Sequence, residues 1–179
     1  MNGISITPDV VRGCGEIIAM AERYRRLFSD YPDPAAKRNR PADWDPLNPY
    51  RDSEYEDDDR YHVLQMAQMP RDLALTILKG IATPDCDLRN FYFQINRYDI
   101  GDYILPHRDS LQQGLYMLTD SEVDGLVVQS GPGRMEFVPD RAGTLIEHDP
   151  AAWHWVDPVR DHVRYTLVTI PARPPARRG

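Results

Sequence analysis

The spacing of apolar positions changes twice along the chain. Over residues 7–28, Val10, Val11, Ile17, Ile18, Ala21, Tyr24 and Phe28 recur near helical intervals. The pattern predicts a helix filling most of segment 1–29, with Thr7 as its N-cap and Pro8 at its first position. A second helix is expected over 70–82, opened by Pro70 and closed near Gly80. Leu73, Ile77, Leu78 and Ile81 form its apolar stripe. From residue 87 the period shortens to that of strands. Eight short runs read as β: 90–98, 103–107, 114–118, 125–129, 134–138, 143–148, 153–156 and 163–170. Turn signals separate them at Gly101-Asp102, Ser130-Gly131-Pro132-Gly133, Asp140 and Asp157-Pro158. Strands at such regular intervals predict two antiparallel sheets closed as a sandwich or barrel, a jelly-roll arrangement. The expected fold class is therefore mainly β (α+β), with N-terminal supporting helices and a core over 87–170.

Segment 30–60 breaks the pattern. It holds five prolines and few aliphatics, yet carries Tyr31, Trp44, Tyr50 and Tyr55. A long irregular stretch inside a domain is usually functional or disordered. The expectation is a lid, with Arg51 among its candidate substrate contacts. Six acids lie between Asp52 and Asp59, and they read as a solvated surface. The end of the chain, PARPPARRG, is too polar and Pro-rich to pack, so a single domain over 1–172 with a mobile tail over 173–179 is expected.

Composition narrows the function classes. The chain has 179 residues, about one domain at ~150 residues per domain. A formal net charge of -7 supplies no basic field for nucleic acid or anionic lipid. No run approaches the roughly 18 apolar residues of a membrane span, and the start lacks the layout of a secretory signal. Cys14 and Cys86 lie far apart, without metal-type spacing. A cytoplasmic protein acting on a small molecule, with neither nucleic-acid nor membrane partners, is the expectation.

The candidate chemistry lies in the histidines. His107-Arg108-Asp109 places an imidazole and a carboxylate at i and i+2, so on a strand both side chains project to one face. A second imidazole from a neighbouring strand would complete a two-His, one-carboxylate triad, which leaves coordination positions open and suits non-haem Fe(II). His154 is the best third ligand, and His148 is the alternative. Arg164 and Thr166 share a face by the same rule, and a guanidinium beside a hydroxyl can clamp a carboxylate. Asp157-Pro158 and Arg160-Asp161 permit a chain reversal, so the segments bearing His154 and Arg164 are expected to pair as a hairpin. His162 reads as a turn residue. Arg89, Tyr92, Gln94 and Asn96, on the first strand, are expected as pocket walls.

In this order and spacing the chain resembles the Fe(II)/2-oxoglutarate-dependent oxygenases, most closely their prolyl-4-hydroxylase-like branch. The matching stretches are Tyr98 through Gly101 to His107-Arg-Asp109, then Leu115 to Asp120, Asp124-Gly125, Phe137 to Gly143-Thr-Leu, and His154 through Arg164 to Thr166. The resemblance implies a double-stranded β-helix core and iron on His107, Asp109 and His154. It also implies 2-oxoglutarate on Arg164, with Thr166 and Tyr98 as further co-substrate contacts. O2 is the second co-substrate, and succinate and CO2 are the implied products. Because Asp109 is present where related halogenases lack a carboxylate, the resemblance favours hydroxylation of an unactivated C–H. A small, amino-acid-derived or natural-product substrate is expected. The alternatives are a peptidyl or prolyl residue, or a cupin-like metal-binding jelly roll without 2-oxoglutarate.

Overall fold

The computed structural model describes residues 3–30, 59–81, 91–131 and 133–171. The eight expected strands are present: β4 (Phe91–Tyr98), β5 (Ile104–His107), β6 (Gly114–Met117), β7 (Gly125–Gly131), β8 (Arg134–Pro139), β9 (Leu145–Glu147), β10 (His154–Val156) and β11 (Arg164–Pro171). Three shorter strands precede them: β1 (Ser5–Thr7), β2 (Ser29–Asp30) and β3 (His62–Gln65). They form a seven-stranded sheet in the order β1-β9-β6-β11-β4-β3-β2 and a four-stranded sheet in the order β5-β10-β7-β8. All named pairings are antiparallel.

Alternation along the strands builds two cores. On the outer face of the larger sheet, Leu64, Phe93, Ile95, Tyr116, Tyr165 and Leu167 pack against α1 (Cys14–Arg23) and α2 (Arg71–Gly80). Those helices contribute Ile17, Ala21, Leu73 and Ile77. On the inner face, between the sheets, lie Val63, Tyr98, Met117, Leu126, Val128, Ile146 and Val156. Leu78, expected in the buried stripe of the second helix, is instead 36% exposed. The stripe runs through Leu73, Ile77 and Gly80.

Two further expectations are corrected. The first helix begins at Cys14, not at Thr7. Thr7 pairs with Leu145 at a sheet edge, and the Val10 and Val11 amides both donate to the Gly143 carbonyl. The backbone before residue 13 thus already has partners outside a helix, and Gly13, at φ 69, turns the chain into α1. The strands bearing His154 and Arg164 do not pair as a hairpin either: β10 lies between β5 and β7, and β11 lies between β4 and β6. The connecting loop is held elsewhere. The Arg160 and Asp161 amides donate to the Asp124 carboxylate, and the Val159 amide donates to the Asp102 carbonyl. The chain therefore crosses from one sheet to the other.

Of the expected lid, residues 31–58 lie outside the described residues, as does the tail after 171. The segment's two ends are anchored. Asp30 pairs with His62, and the Asp59 carboxylate accepts the Leu105 amide at 2.7 Å.

Candidate metal centre

The smaller sheet brings His107 and Asp109 together with His154. β5 and β10 are neighbours, in a register that sets His107 directly against His154. One ligand-type atom from each of His107, Asp109 and His154 lies within 4.8 Å of the others. His154 Nε2 is 3.4 Å from Asp109 Oδ2, and His107 Nε2 is 4.0 Å from Oδ1. Each imidazole is fixed from behind. His107 Nδ1 donates to the Leu105 carbonyl at 2.9 Å, and His154 Nδ1 donates to that of Ala152 at 3.0 Å. That tautomer leaves both Nε2 lone pairs facing the carboxylate, as a metal ligand set requires. Burial, with the neighbouring His154, holds the pKa of His107 down at about 4, so its ring is neutral near pH 7. Burial pushes the Asp109 carboxyl upward, but the surrounding His154, His107 and His148 together hold it below its ordinary value. Two imidazoles and one carboxylate fit a divalent cation.

His148 sits beside this group, its ring centroid 4.1 Å from that of His154. It is outside the set of atoms that converge. Burial lowers its pKa, and its Nδ1 donates to the Asp149 carbonyl at 3.0 Å.

The larger sheet supplies the other wall. Arg164 pairs with Tyr98, and Thr166 with Asn96, so all four side chains face inward. Arg164 and Tyr98 are each 1% exposed, with the guanidinium 4.8 Å from the Tyr98 ring centre. Burial raises the Tyr98 phenol pKa, so it stays protonated. Among the described residues, Arg164 Nη1 and Thr166 Oγ1 are buried without a hydrogen-bond partner. An orphaned buried donor costs about 1–3 kcal/mol, so a ligand that brings acceptors there is favoured. The triad, His148, Arg164, Asn96 and Tyr98 line one cavity of about 150 Å³. The residues present thus fit a metal at one wall and a carboxylate at the other.

Sequence reasoning missed Asp140, whose carboxylate accepts Arg164 Nε at 2.6 Å and Nη2 at 3.0 Å. The contact crosses from the end of β8 to β11, and no local spacing announces it. Of the expected wall residues, Gln94 and Asn96 line the cavity, Tyr92 is 58% exposed, and Arg89 lies outside the described residues. His162 is exposed in the loop before β11, beside Asp161. A second convergent group, His62, Asp99 and Asp102, is already charge-paired. Arg97 Nη1 donates to Asp99 at 2.7 Å, Arg60 Nε lies 3.9 Å from Asp102, and the other Asp102 oxygen accepts the Asp99 amide.

No protein-family model matches the chain, and no curated protein matches it. Solved structures do. A prolyl-4-hydroxylase from Pseudomonas putida is 17% identical, with a TM-score of 0.58 over 96% of this chain and 93% of that one. A 2OG-Fe(II) oxygenase family oxidoreductase from Burkholderia pseudomallei is 18% identical, with a TM-score of 0.60 over 98% and 87%. A Trichoplax adhaerens prolyl hydroxylase, solved with a hypoxia inducible factor peptide, is 12% identical, with a TM-score of 0.61 over 96% and 84%. The chain therefore has the double-stranded β-helix fold of the 2-oxoglutarate- and Fe(II)-dependent oxygenases.

Proposed function

We propose that the chain is an Fe(II)- and 2-oxoglutarate-dependent dioxygenase. Its reaction is hydroxylation of an unactivated C–H on a small, amino-acid-derived or natural-product substrate, with release of succinate and CO2. One observation carries this reading: a converging His-Asp-His group shares a cavity with a buried arginine whose Nη1 lacks an acceptor among the described residues.

His107, Asp109 and His154 would hold the iron, which with 2-oxoglutarate and O2 supplies the oxidising power. The rest is the work of the chain. The carbonyls of Leu105 and Ala152 lock the two imidazoles in the ligand tautomer. Arg164 Nη1 and Thr166 Oγ1 donate to the distal carboxylate of the co-substrate, and protonated Tyr98 stands beside them. Leu115, Leu126, Val156 and Val168 line the cavity between the two polar walls. Burial falls along β4 and β11 from Tyr98 and Arg164 to Gln94 and Ile170, so the cavity opens at the latter end. Gln94 and Gln113 there offer uncharged hydrogen-bonding groups to a substrate.

The test is succinate formation by the purified chain with Fe(II), 2-oxoglutarate and panels of amino acids, natural-product scaffolds and proline peptides. His107→Ala, Asp109→Ala and His154→Ala should each abolish it, while His148→Ala keeps its metal. Activity in His154→Ala with a dead His148→Ala would overturn the ligand assignment. An inert wild type would overturn the whole reading, and turnover confined to the peptides would replace the substrate class.

A further inference from the structure

The Arg164–Asp140 pair poses a question that the clamp reading leaves open. A guanidinium offers five N–H donors in a rigid fork, and a carboxylate ligand can meet it along any of its edges. Here one edge is already taken. Asp140, fully buried, accepts Nε at 2.6 Å and Nη2 at 3.0 Å, one oxygen for each. Nη2 also faces the Met117 sulfur at 3.6 Å. Among the described residues, Nη1 alone is left without a partner.

Asp140 is itself held on both sides. Its amide donates to the Asp124 carbonyl at 3.0 Å, and its carbonyl accepts the Ser121 amide at 3.1 Å and Arg141 Nη1 at 3.1 Å. Asp124 in turn caps the 160–161 amides. The carboxylate is thus a fixed point at the end of β8, gripping a long side chain that springs from the other sheet. Without it, Arg164 would have rotamers to spare, and its fork could turn or advance within the cavity.

We propose that Asp140 is a positioning residue: by holding the Nε/Nη2 edge of Arg164 it presents Nη1 alone to the cavity at one depth, and so sets the length of 2-oxo diacid that spans from the metal to Arg164. This rests on Arg164 being the co-substrate clamp. It differs from a stabilising ion pair, because it concerns which anion fits rather than whether the chain folds.

The test is equilibrium binding by calorimetry, with Mn(II) in place of Fe(II) so that nothing turns over. Three ligands are titrated: oxaloacetate, 2-oxoglutarate and 2-oxoadipate, of four, five and six carbons. Wild type should prefer the five-carbon acid. Asp140→Asn keeps the shape but turns one acceptor into a donor facing the guanidinium. It should weaken 2-oxoglutarate at least about tenfold, ~1.4 kcal/mol, and narrow the discrimination against the other two at least about fivefold, with Mn(II) affinity unchanged. Asp140→Glu, one methylene longer, should advance the guanidinium and shift the preference toward oxaloacetate. If it does not fold, Asp140→Asn alone decides. Wild-type discrimination retained in Asp140→Asn overturns the proposal, as does parallel loss of Mn(II) and of all three acids, which marks a merely structural pair. A wild type that binds no 2-oxo acid overturns the clamp reading instead.

Discussion

At the scale of single residues, charge is organised around Arg97. It is 3% exposed, yet donates to Asp99 at 2.7 Å and to the Tyr165 hydroxyl at 3.0 Å. Tyr165 in turn donates to Glu22 of α1, so the cluster ties that helix to the sheet. The Arg97 hydrogen bond holds the Asp99 carboxyl below its ordinary value of 3.8. A depressed folded-state pKa gives stability that is complete above the unfolded value and is lost as pH falls through the folded one. Asp99→Asn should therefore unfold at lower urea than wild type at neutral pH, and the gap should close as pH drops below about 4. The effect is modest, because the Asp99 side chain is 38% exposed. A gap of constant size down to acid pH would show that the carboxylate charge is not what stabilises. This scale also shows what a sequence discloses. His107 and Asp109 could be read because their relation is local, two positions apart in the chain, although β5 ends at His107 and Asp109 lies just beyond it. Asp140 could not, because its partner is 24 residues away on the other sheet.

At the scale of elements, strand alternation made β4 through β11 legible, since each buries at least one face against a core. β1 and β2 escaped notice because they are edge strands of three and two residues with mostly exposed side chains. The start of α1 was misread because apolar Val10 and Val11 keep helical spacing while their amides serve Gly143. The supposed β10–β11 hairpin failed because Asp124 captures the intervening loop, a contact that no turn propensity reveals. Glycines test the packing directly. A Cβ at Gly125, at the start of β7, would lie 2.1 Å from the Val138 carbonyl oxygen and 2.9 Å from the Pro139 Cα, both on β8. Backbone cannot yield as a flexible side chain does, so Gly125→Ala should cost about 1–3 kcal/mol. Gly15, within α1, has nothing within 4 Å of its added Cβ. Gly15→Ala should instead stabilise by about 0.5–1 kcal/mol through helix propensity. Denaturant midpoints measure both. An unchanged midpoint for Gly125→Ala would mean that β7 and β8 can separate to admit the methyl, and a lowered one for Gly15→Ala would mean that helix propensity does not govern the start of α1.

At the scale of the whole molecule, the candidate site spans two sheets. His107 and His154 belong to the smaller one, with Asp109 just past the end of β5, and Arg164, Thr166 and Tyr98 belong to the larger. A metal alone links β5 to β10, strands that already pair. A 2-oxo diacid bound to that metal and to Arg164 Nη1 would tie one sheet to the other. Ligands that bind only the folded chain stabilise it by RT ln(1 + [L]/Kd), about 2.7 kcal/mol at a hundredfold excess over Kd. For a chain of this length that corresponds to a rise of about 5–10 °C in Tm. Two separable increments are therefore expected in anaerobic melts: one from Fe(II), and a second from 2-oxoglutarate that appears only once metal is present. Linkage is reciprocal, so 2-oxoglutarate should tighten Fe(II) by the same factor by which Fe(II) tightens 2-oxoglutarate. Arg164→Ala should keep the first increment and lose the second. The breaking of a desolvated guanidinium–carboxylate pair costs on the order of 2–5 kcal/mol, at least about thirtyfold in 2-oxoglutarate affinity. Hydrogen exchange locates the effect. Amides of β4 and β11 should slow when 2-oxoglutarate joins the metal, and should not respond to metal alone. If Arg164→Ala retains both increments, the two sheets are not bridged through this guanidinium, and the anion is held by the metal wall alone.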